Sequence, residues 1–161
     1  MGKEPFLHRA LTQDDLRLVM IPVRRLAERL GTLGEREALS ETGLAVAEWR
    51  IIFVLARDGA GHLQQLAHRA SVDRRQVGRY VERLERRGLV GKRTDPTDRR
   101  RTVVEATDVG MAVYRELRPK YEALADEFRS LYSDYEYGLL MQLIERAILR
   151  ADMLLARDEE E

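Results

Sequence analysis

The chain has 161 residues, of which 35% are charged and 44% are hydrophobic, a balance that suits one folded, helical domain with extensions and excludes a disordered chain. It has no cysteine, which excludes disulfides, thiolate metal ligands and thiol redox sensing. The formal net charge is zero, but the segment Arg69–Arg101 holds twelve Lys and Arg against five Asp and Glu, a local charge of +7. The rest of the chain carries −7. Because the distribution of charge matters more than its total, the zero net charge does not exclude a nucleic-acid partner.

The first predicted element is a one-faced helix over about residues 12–39. Thr12 is expected to cap it, Pro22 to kink it or mark a local break, and Gly31 and Gly34 to loosen its end. Apolar side chains recur at helical spacing at Leu16, Met20, Val23, Ala27 and Leu30.

Three more helices are predicted before any strand. Residues 44–59 carry a wide apolar arc and predict a buried helix ending at Asp58 and Gly59. A short helix is expected over Leu63–Ala70. Ser71 is then expected to cap a fourth helix over about Val72–Arg87, which Gly88 ends as a left-handed residue.

A hairpin and two long helices complete the order. Strands are predicted over Leu89–Thr94 and Arg101–Ala106, around an Asp-Pro turn. Thr107 is expected to cap a fifth helix that runs past Pro119 to about Leu131, and Ser133 or Asp134 a sixth. The broad apolar stripe of the sixth helix is typical of packing against a second copy.

The element order predicts a mainly α winged helix-turn-helix fold, because a short helix, a turn and a capped helix are followed directly by a hairpin. Long N- and C-terminal helices on either side are expected to be dimerisation helices. We expect a single domain over residues 1–161. Its DNA-binding lobe spans about residues 44–106, and its dimerisation helices span residues 12–39 and 107–157.

The fourth helix has an apolar face opposite a basic one. At 100° per residue, Val77, Val81 and Leu84 face the core and Arg75 and Arg79 face away from it. This arrangement suits a helix whose N-terminal half enters the major groove of DNA. Expected contacts are guanine for Arg75 and Arg79, adenine or phosphate for Gln76, and phosphate for Arg74 and for Ser71 at the helix N-terminus. The alternative is a solvated face on which Glu82 pairs with Arg79 or Arg86.

The hairpin tip crowds three arginines, Arg99, Arg100 and Arg101. Asp95 and Asp98 are close enough in sequence to orient an arginine, and Pro96 stiffens the turn. An oriented arginine at a loop tip suits the narrow, negative minor groove of DNA. Lys92 and Arg93 at the hairpin base are expected to contact phosphates. The alternative is a solvated turn.

The stretch GLVGKRTDPTDRRRTVVEATDVG resembles the wing of the MarR family of bacterial transcription regulators, with Asp95, Pro96, Asp98, Arg99 and Arg100 on its Asp-Pro-x-Asp-Arg-Arg motif. SVDRRQVGRYVERLERRGLV resembles the family's recognition helix, with Gly78 where Ser or Thr is common. The resemblance implies a homodimer on a pseudo-palindromic operator in double-stranded DNA. It also implies repression that a small aromatic or phenolic ligand relieves.

Other features point to no further chemistry. His62 and His68 lack a metal-ligand spacing, so no metal or cofactor is expected. Trp49 is a candidate ligand contact, with core packing as the alternative. No nucleophile or phosphate-loop motif occurs, so no enzyme is expected. Without an apolar run of roughly 20 residues or a signal peptide, no membrane is expected and the expected location is the cytoplasm. A winged-helix protein-interaction scaffold without DNA readout is the alternative function.

Overall fold

The computed structural model describes residues 18–157, which form two compact units that meet in sequence between Lys120 and Tyr121. Its helices are α1 Met20–Gly34, α2 Val46–Asp58, α3 Leu63–Arg69, α4 Val77–Arg86, α5 Asp108–Arg129 and α6 Asp134–Arg157. Its strands are β1 Gly61–His62, β2 Val90–Thr94 and β3 Thr102–Ala106. The order of α3, α4 and the β2–β3 hairpin confirms the mainly α winged helix-turn-helix fold.

Among the described residues α1 begins at Met20, after a turn at residues 18–19, and Pro22 lies in its first turn. A proline is tolerated there because the amide hydrogens of the first turn have no intrahelical acceptor, which agrees with the predicted local break at Pro22. The helix also passes Gly31 and Gly34 without ending and widens into a π-helical turn over Glu35–Leu39. The predicted cap Thr12 lies outside the described residues.

The core of the first unit lies under α2, α3, α4 and the sheet. Helix α2 ends as predicted at Asp58, followed by Gly59 with a φ of +82°. The fully buried aliphatic side chains come from every one of these elements and from the first half of α5: Ile51, Ile52, Leu66, Val81, Leu84, Val104 and Leu117. Burial of these side chains is the dominant stabilising contribution to the lobe that carries α4.

The start of α4 differs from the prediction. Ser71 does not cap it. Ser71 adopts a φ of +50° and its N–H donates to the carbonyl of His68, so it closes α3. Asp73 instead stabilises the turn that leads into α4, since its carboxylate accepts the N–H of Arg75 at 2.7 Å and its carbonyl accepts that of Val77. Regular helix therefore begins at Val77, about five residues later than predicted.

The end of α4 follows the prediction closely. Gly88 has a φ of +70°, its N–H donates to the carbonyl of Glu85, and that of Leu89 donates to the carbonyl of Leu84. This is the paired hydrogen-bond pattern of a glycine-terminated helix, with Leu89 buried beside it. The chain thereby turns directly into β2.

The wing is an antiparallel hairpin with one added strand. Strand β2 pairs with β3 from Val90 opposite Ala106 to Thr94 opposite Thr102. Strand β1, which the sequence analysis did not predict, pairs with the other edge of β3 and gives the order β1-β3-β2. The connection between α2 and α3 is therefore hydrogen-bonded to the wing.

The last two helices have the predicted caps. Thr107 accepts the N–H of Gly110 on its hydroxyl at 3.1 Å. Ser133 caps α6, because its hydroxyl accepts the N–H of Glu136 and its own N–H donates to the Glu136 carboxylate. The backbone N–H and the hydroxyl of Ser133, which both donate to the Glu136 carboxylate, hold the pKa of Glu136 below its ordinary value. Within α6, apolar side chains remain exposed at Leu139, Met141, Leu143, Ile144, Ile148, Leu149, Met153, Leu154 and Leu155.

Candidate nucleic-acid interface

Helix α4 presents the two faces that the sequence predicts. Val77, Val81 and Leu84 are buried, whereas Arg75 and Arg79 are exposed. Within the described residues, neither of these guanidinium groups has an acidic side chain within ion-pair distance, and Glu82 pairs with neither Arg79 nor Arg86. The alternative of a solvated face neutralised by Glu82 is therefore wrong for this structure. Arg75 and Arg79 are available to an anionic ligand.

The other predicted groove residues lie around the same end of α4. Arg74 and Gln76 are exposed in the turn that leads into the helix, and the Gln76 amide oxygen accepts a 3.4 Å hydrogen bond from the Tyr80 hydroxyl. Ser71 is exposed but lies before this turn. Because Ser71 lies outside α4, the N-terminus of that helix does not support the predicted contact between Ser71 and phosphate. Within Ser71, the hydroxyl group is the part that would make this contact.

The C-terminal half of α4 is fixed by cations that the sequence analysis did not single out. The Arg83 Nε lies 2.9 Å from Oε1 of Glu48, which is fully buried and whose other oxygen accepts the N–H of Ala45. Arg87 donates to the carbonyls of Thr42 and Gly43 at 2.8 and 3.2 Å. Because Ala45 is not a capping residue type, no sequence signal marked Glu48. These contacts fix the C-terminal half of α4 to the residues around the start of α2.

The base of the wing is tied to α4 by an ion pair. The Lys92 Nζ lies 2.7 Å from Oε2 of Glu85, and across the hairpin Arg93 Nε lies 3.3 Å from Oε2 of Glu105. Both cations were predicted to contact phosphates, and both have acidic partners in the structure. Their contacts with DNA stay a prediction, and Lys92 in addition links β2 to α4.

The wing tip is organised by Asp95, although not in the predicted way. One carboxylate oxygen accepts the N–H and the hydroxyl of Thr97 at 2.7 and 2.6 Å, and the N–H of Asp98 at 3.3 Å. The other oxygen lies 3.1 Å from the His62 Nε2. Within the described residues no arginine pairs with Asp95, so the predicted arginine contact is wrong. The Thr97 hydroxyl, followed by these other contacts, holds the pKa of Asp95 below its ordinary value.

Asp98 is the carboxylate that orients the wing arginines. It lies 3.2 Å from the Arg101 Nε and 3.6 Å from the Arg100 Nε, and it accepts the N–H of Arg100. Arg99 is exposed and has no acidic partner within the described part of the chain. The tip therefore carries one unpaired arginine beside two that are partly neutralised.

Trp49 belongs to an aromatic cluster in the core, which agrees with the alternative to ligand binding. It stacks on Tyr114 and contacts Phe53, both at 6.0 Å between ring centroids, and only 4% of its surface is exposed. Arg57 and Arg118 lie over the rings of Phe53 and Tyr114. Residues 18–157 contain no group of three or more potential metal ligands and no helix apolar and long enough to span a membrane.

Comparison with known proteins agrees with this architecture. Residues 44–110 match a family model described as a winged helix DNA-binding domain. The HTH-type transcriptional regulator MhqR of Bacillus subtilis is 28% identical over 109 residues, covering 68% of this chain and 75% of that protein. The structure of NadR in complex with 4-hydroxyphenylacetate superimposes with a TM-score of 0.71 at 25% identity, covering 91% of this chain and 97% of that one. Sco3205 of Streptomyces coelicolor, a MarR family regulator solved with DNA, gives a TM-score of 0.73 at 23% identity and covers 93% and 92% of the two chains.

Proposed function

We propose that the chain is a transcriptional regulator of the MarR type that binds a pseudo-palindromic operator in double-stranded DNA as a homodimer. We further propose that it represses transcription and releases DNA when a small aromatic ligand binds. On this proposal the lobe of residues 44–106 contacts DNA, and residues 12–39 and 107–157 form the dimer within a single functional domain. The protein acts in the cytoplasm and is not an enzyme. The relatives described above are regulators, which supports that assignment.

One observation carries the DNA-binding proposal. Arg75, Arg79 and Arg99 are exposed and unpaired among the described residues, while most of the surrounding cations have acidic or carbonyl partners. Two of the three lie at the N-terminal half of α4 and the third at the wing tip. Because Lys92 pairs with Glu85, the elements that carry them are tied together. Arginines held on a helix and an adjacent hairpin suit a major groove and a neighbouring minor groove.

Exposed apolar side chains support the homodimer. In α1 they include Met20, Ile21, Val23, Leu26 and Leu30, and in α6 nine further side chains are exposed. Large exposed apolar surfaces are unusual on monomers and mark sites of association. A twofold dimer places two α4 helices about one turn of DNA apart, on the order of 34 Å.

The ligand proposal depends on the NadR complex with 4-hydroxyphenylacetate and on the family. Trp49 stays a candidate contact, but a ligand that reached it would have to displace Tyr114, which stacks on it. A ligand releases DNA only if it binds the two lobe arrangements with different affinity. A thermal-shift screen of aromatic acids, followed by a DNA-release assay with each compound that raises Tm, tests this part of the proposal.

The decisive experiment is a fluorescence-anisotropy titration with DNA from upstream of the protein's own coding region. Arg75→Ala, Arg79→Ala and Arg99→Ala are each expected to weaken binding by about 1–3 kcal/mol, the range for good arginine–base contacts. Wild-type affinity should fall steeply with salt. The log–log slope is roughly −0.9 for each neutralised phosphate, and about six contacts in a dimer predict a slope near −5.

Arg57→Ala is the matched control. Arg57 is exposed at the C-terminal end of α2, where its guanidinium pairs with the adjacent Asp58. The control should keep wild-type affinity. Binding that is insensitive to all three arginine substitutions and to salt would contradict the proposal and favour a protein-interaction scaffold.

A further inference from the structure

His62 contacts a hydrogen-bond acceptor with each of its ring nitrogens. Its Nε2 lies 3.1 Å from Oδ2 of Asp95 at the wing tip, and its Nδ1 lies 3.3 Å from the carbonyl oxygen of Thr102 on β3. Three-quarters of the side chain is buried, and that of Asp95 is 12% exposed. The contact therefore connects β1 to both ends of the wing loop.

The two acceptors determine which protonation state of the His62 ring is compatible with these contacts. A neutral imidazole carries one N–H and one lone pair, so in either tautomer a lone pair would face the carboxylate or the carbonyl. Only the imidazolium, with two N–H donors, satisfies both contacts and adds a charge-assisted hydrogen bond to Asp95. Asp95 cannot supply the missing proton, because its contacts at the wing tip favour its ionised form.

Asp95 connects His62 to the wing tip, because its two carboxylate oxygens have different partners. The oxygen that does not face His62 accepts three hydrogen bonds, two from Thr97 and one from Asp98. Asp98 in turn pairs with the adjacent residues Arg100 and Arg101. A shift of the Asp95 carboxylate would therefore move the loop that carries the three arginines.

We propose that His62 is a positioning residue for DNA binding, which as an imidazolium fixes the Asp95 carboxylate and thereby the wing arginines. The inference rests on the proposed DNA-binding function. Because only the protonated ring satisfies both acceptors, the proposal makes operator affinity fall as pH rises.

The charged groups around His62 come from three elements. The wing contributes Asp95, with Asp98 behind it, and β3 contributes the Thr102 carbonyl next to Arg101, which Asp98 neutralises. Helix α3 contributes Arg69, whose guanidinium covers Gly61 and lies 3.7 Å from the Asp58 carboxylate. The uncharged side chain of Gln65, also on α3, accepts the backbone N–H of His62 and does not contact the ring through this bond. Asp95 is thus the one carboxylate in direct contact with the ring within the described residues.

The first test needs no DNA. In two-dimensional NMR spectra of the full chain, the amide signals of Thr97 and Asp98 are expected to titrate between pH 5.5 and 8.5 with the same midpoint as the His62 ring protons. In His62→Gln these amide signals should no longer change over that range. If they keep their titration in His62→Gln, or never titrate in the wild type, His62 does not govern the wing.

The second test measures operator affinity from pH 6 to 8 at constant ionic strength. We expect a loss of about three- to tenfold towards pH 8, from the net contribution of one typical hydrogen bond. His62→Gln and Asp95→Asn should both flatten the profile, since an amide at position 95 can donate to a neutral imidazole. His68→Gln, which changes an exposed histidine of α3, should keep it.

The outcomes separate this inference from the proposed function. Absence of operator binding at every pH refutes the proposed function, while the amide titration still decides whether His62 controls the wing. Operator binding with a flat wild-type profile, or a profile that His62→Gln leaves unchanged, overturns the role of His62 alone. Loss of the pH dependence in Arg99→Ala would support transmission through the wing arginine, whereas its full retention would refute that route.

Discussion

Gly110 is the position where one added methyl group should cost the most. It lies in the first turn of α5, and a Cβ built there would lie 2.0 Å from the carbonyl oxygen of Leu89 and 3.0 Å from its carbonyl carbon. Ordinary van der Waals contact begins at 3.4 Å, so the two backbones must separate by about 1.4 Å. The same Leu89 carbonyl accepts the N–H of Thr107, and the movement would weaken that hydrogen bond as well.

These contributions set the size of the effect for Gly110→Ala. Forced separation of packed backbone costs about 1–3 kcal/mol, and a weakened hydrogen bond about 1 kcal/mol. Alanine is favoured over glycine in a helix by about 1 kcal/mol, which offsets part of the loss. We therefore expect a net destabilisation of about 1–3 kcal/mol. For a chain of this length each kcal/mol lowers Tm by roughly 2–4 °C, so the decrease is roughly 2–12 °C.

Gly78→Ala is the matched control, because the same substitution in α4 meets no atom within 4 Å. Here only the helix preference operates, and Tm should rise by up to roughly 4 °C. Both variants are compared with wild type by circular dichroism melts at one protein concentration, since the proposed dimerisation would make Tm concentration-dependent. An unchanged or raised Tm for Gly110→Ala, or a lowered one for Gly78→Ala, would refute the packing argument.

Three further predictions concern the anchor of α4, the wing and the dimer. Glu48→Gln keeps the acceptor for Ala45 but removes the ion pair with Arg83, and urea unfolding should show a loss of about 1–3 kcal/mol. The pKa of Asp95 is lowered in the folded state. The contribution of its carboxylate to wing stability is therefore complete at pH values above the ordinary aspartate pKa of about 3.9. This contribution is lost as pH falls through the lower pKa of the folded state. The Thr97 amide signal should therefore stay constant from pH 5 to about 4 and change only below it. Ile148→Glu places a charge on the exposed apolar side of α6. It should raise the dissociation constant of the proposed dimer at least about tenfold, as measured by sedimentation equilibrium. An unchanged dissociation constant would exclude this surface from the dimer interface.

The sequence predicted those features that depend on short-range rules. Gly88 ends α4, Thr107 begins α5 and Ser133 begins α6, each through hydrogen bonds within a few residues. The hairpin strands were predicted to within one residue at their ends, because β-prone side chains flank a single Asp-Pro turn. The burial of Val77, Val81 and Leu84 followed from helical periodicity alone.

The errors arose where a residue's role depends on distant partners. Ser71 and Asp73 are both good capping residues, but Ser71 closes α3 and Asp73 stabilises the turn before α4. Strand β1 has two residues, too few for any alternation, and it forms only because β3 lies beside it. The contact of His62 with Asp95 joins residues 33 positions apart, and no sequence spacing marks it.

The distribution of partners explains how a chain without net charge can present a basic surface. Of the cations in the segment Arg69–Arg101, those that face the protein are neutralised: Arg83 by Glu48, Lys92 by Glu85 and Arg93 by Glu105. Each of these pairs also connects two elements, so the acidic partner contributes to the geometry as well as to the charge balance. Exposed ion pairs contribute little to stability, and their value here is the orientation of α4 and the wing. Arg75, Arg79 and Arg99, which have no carboxylate partner among the described residues, lie at the N-terminal half of α4 and at the hairpin tip. The local field near these positions, and not the total charge, therefore decides what the protein binds.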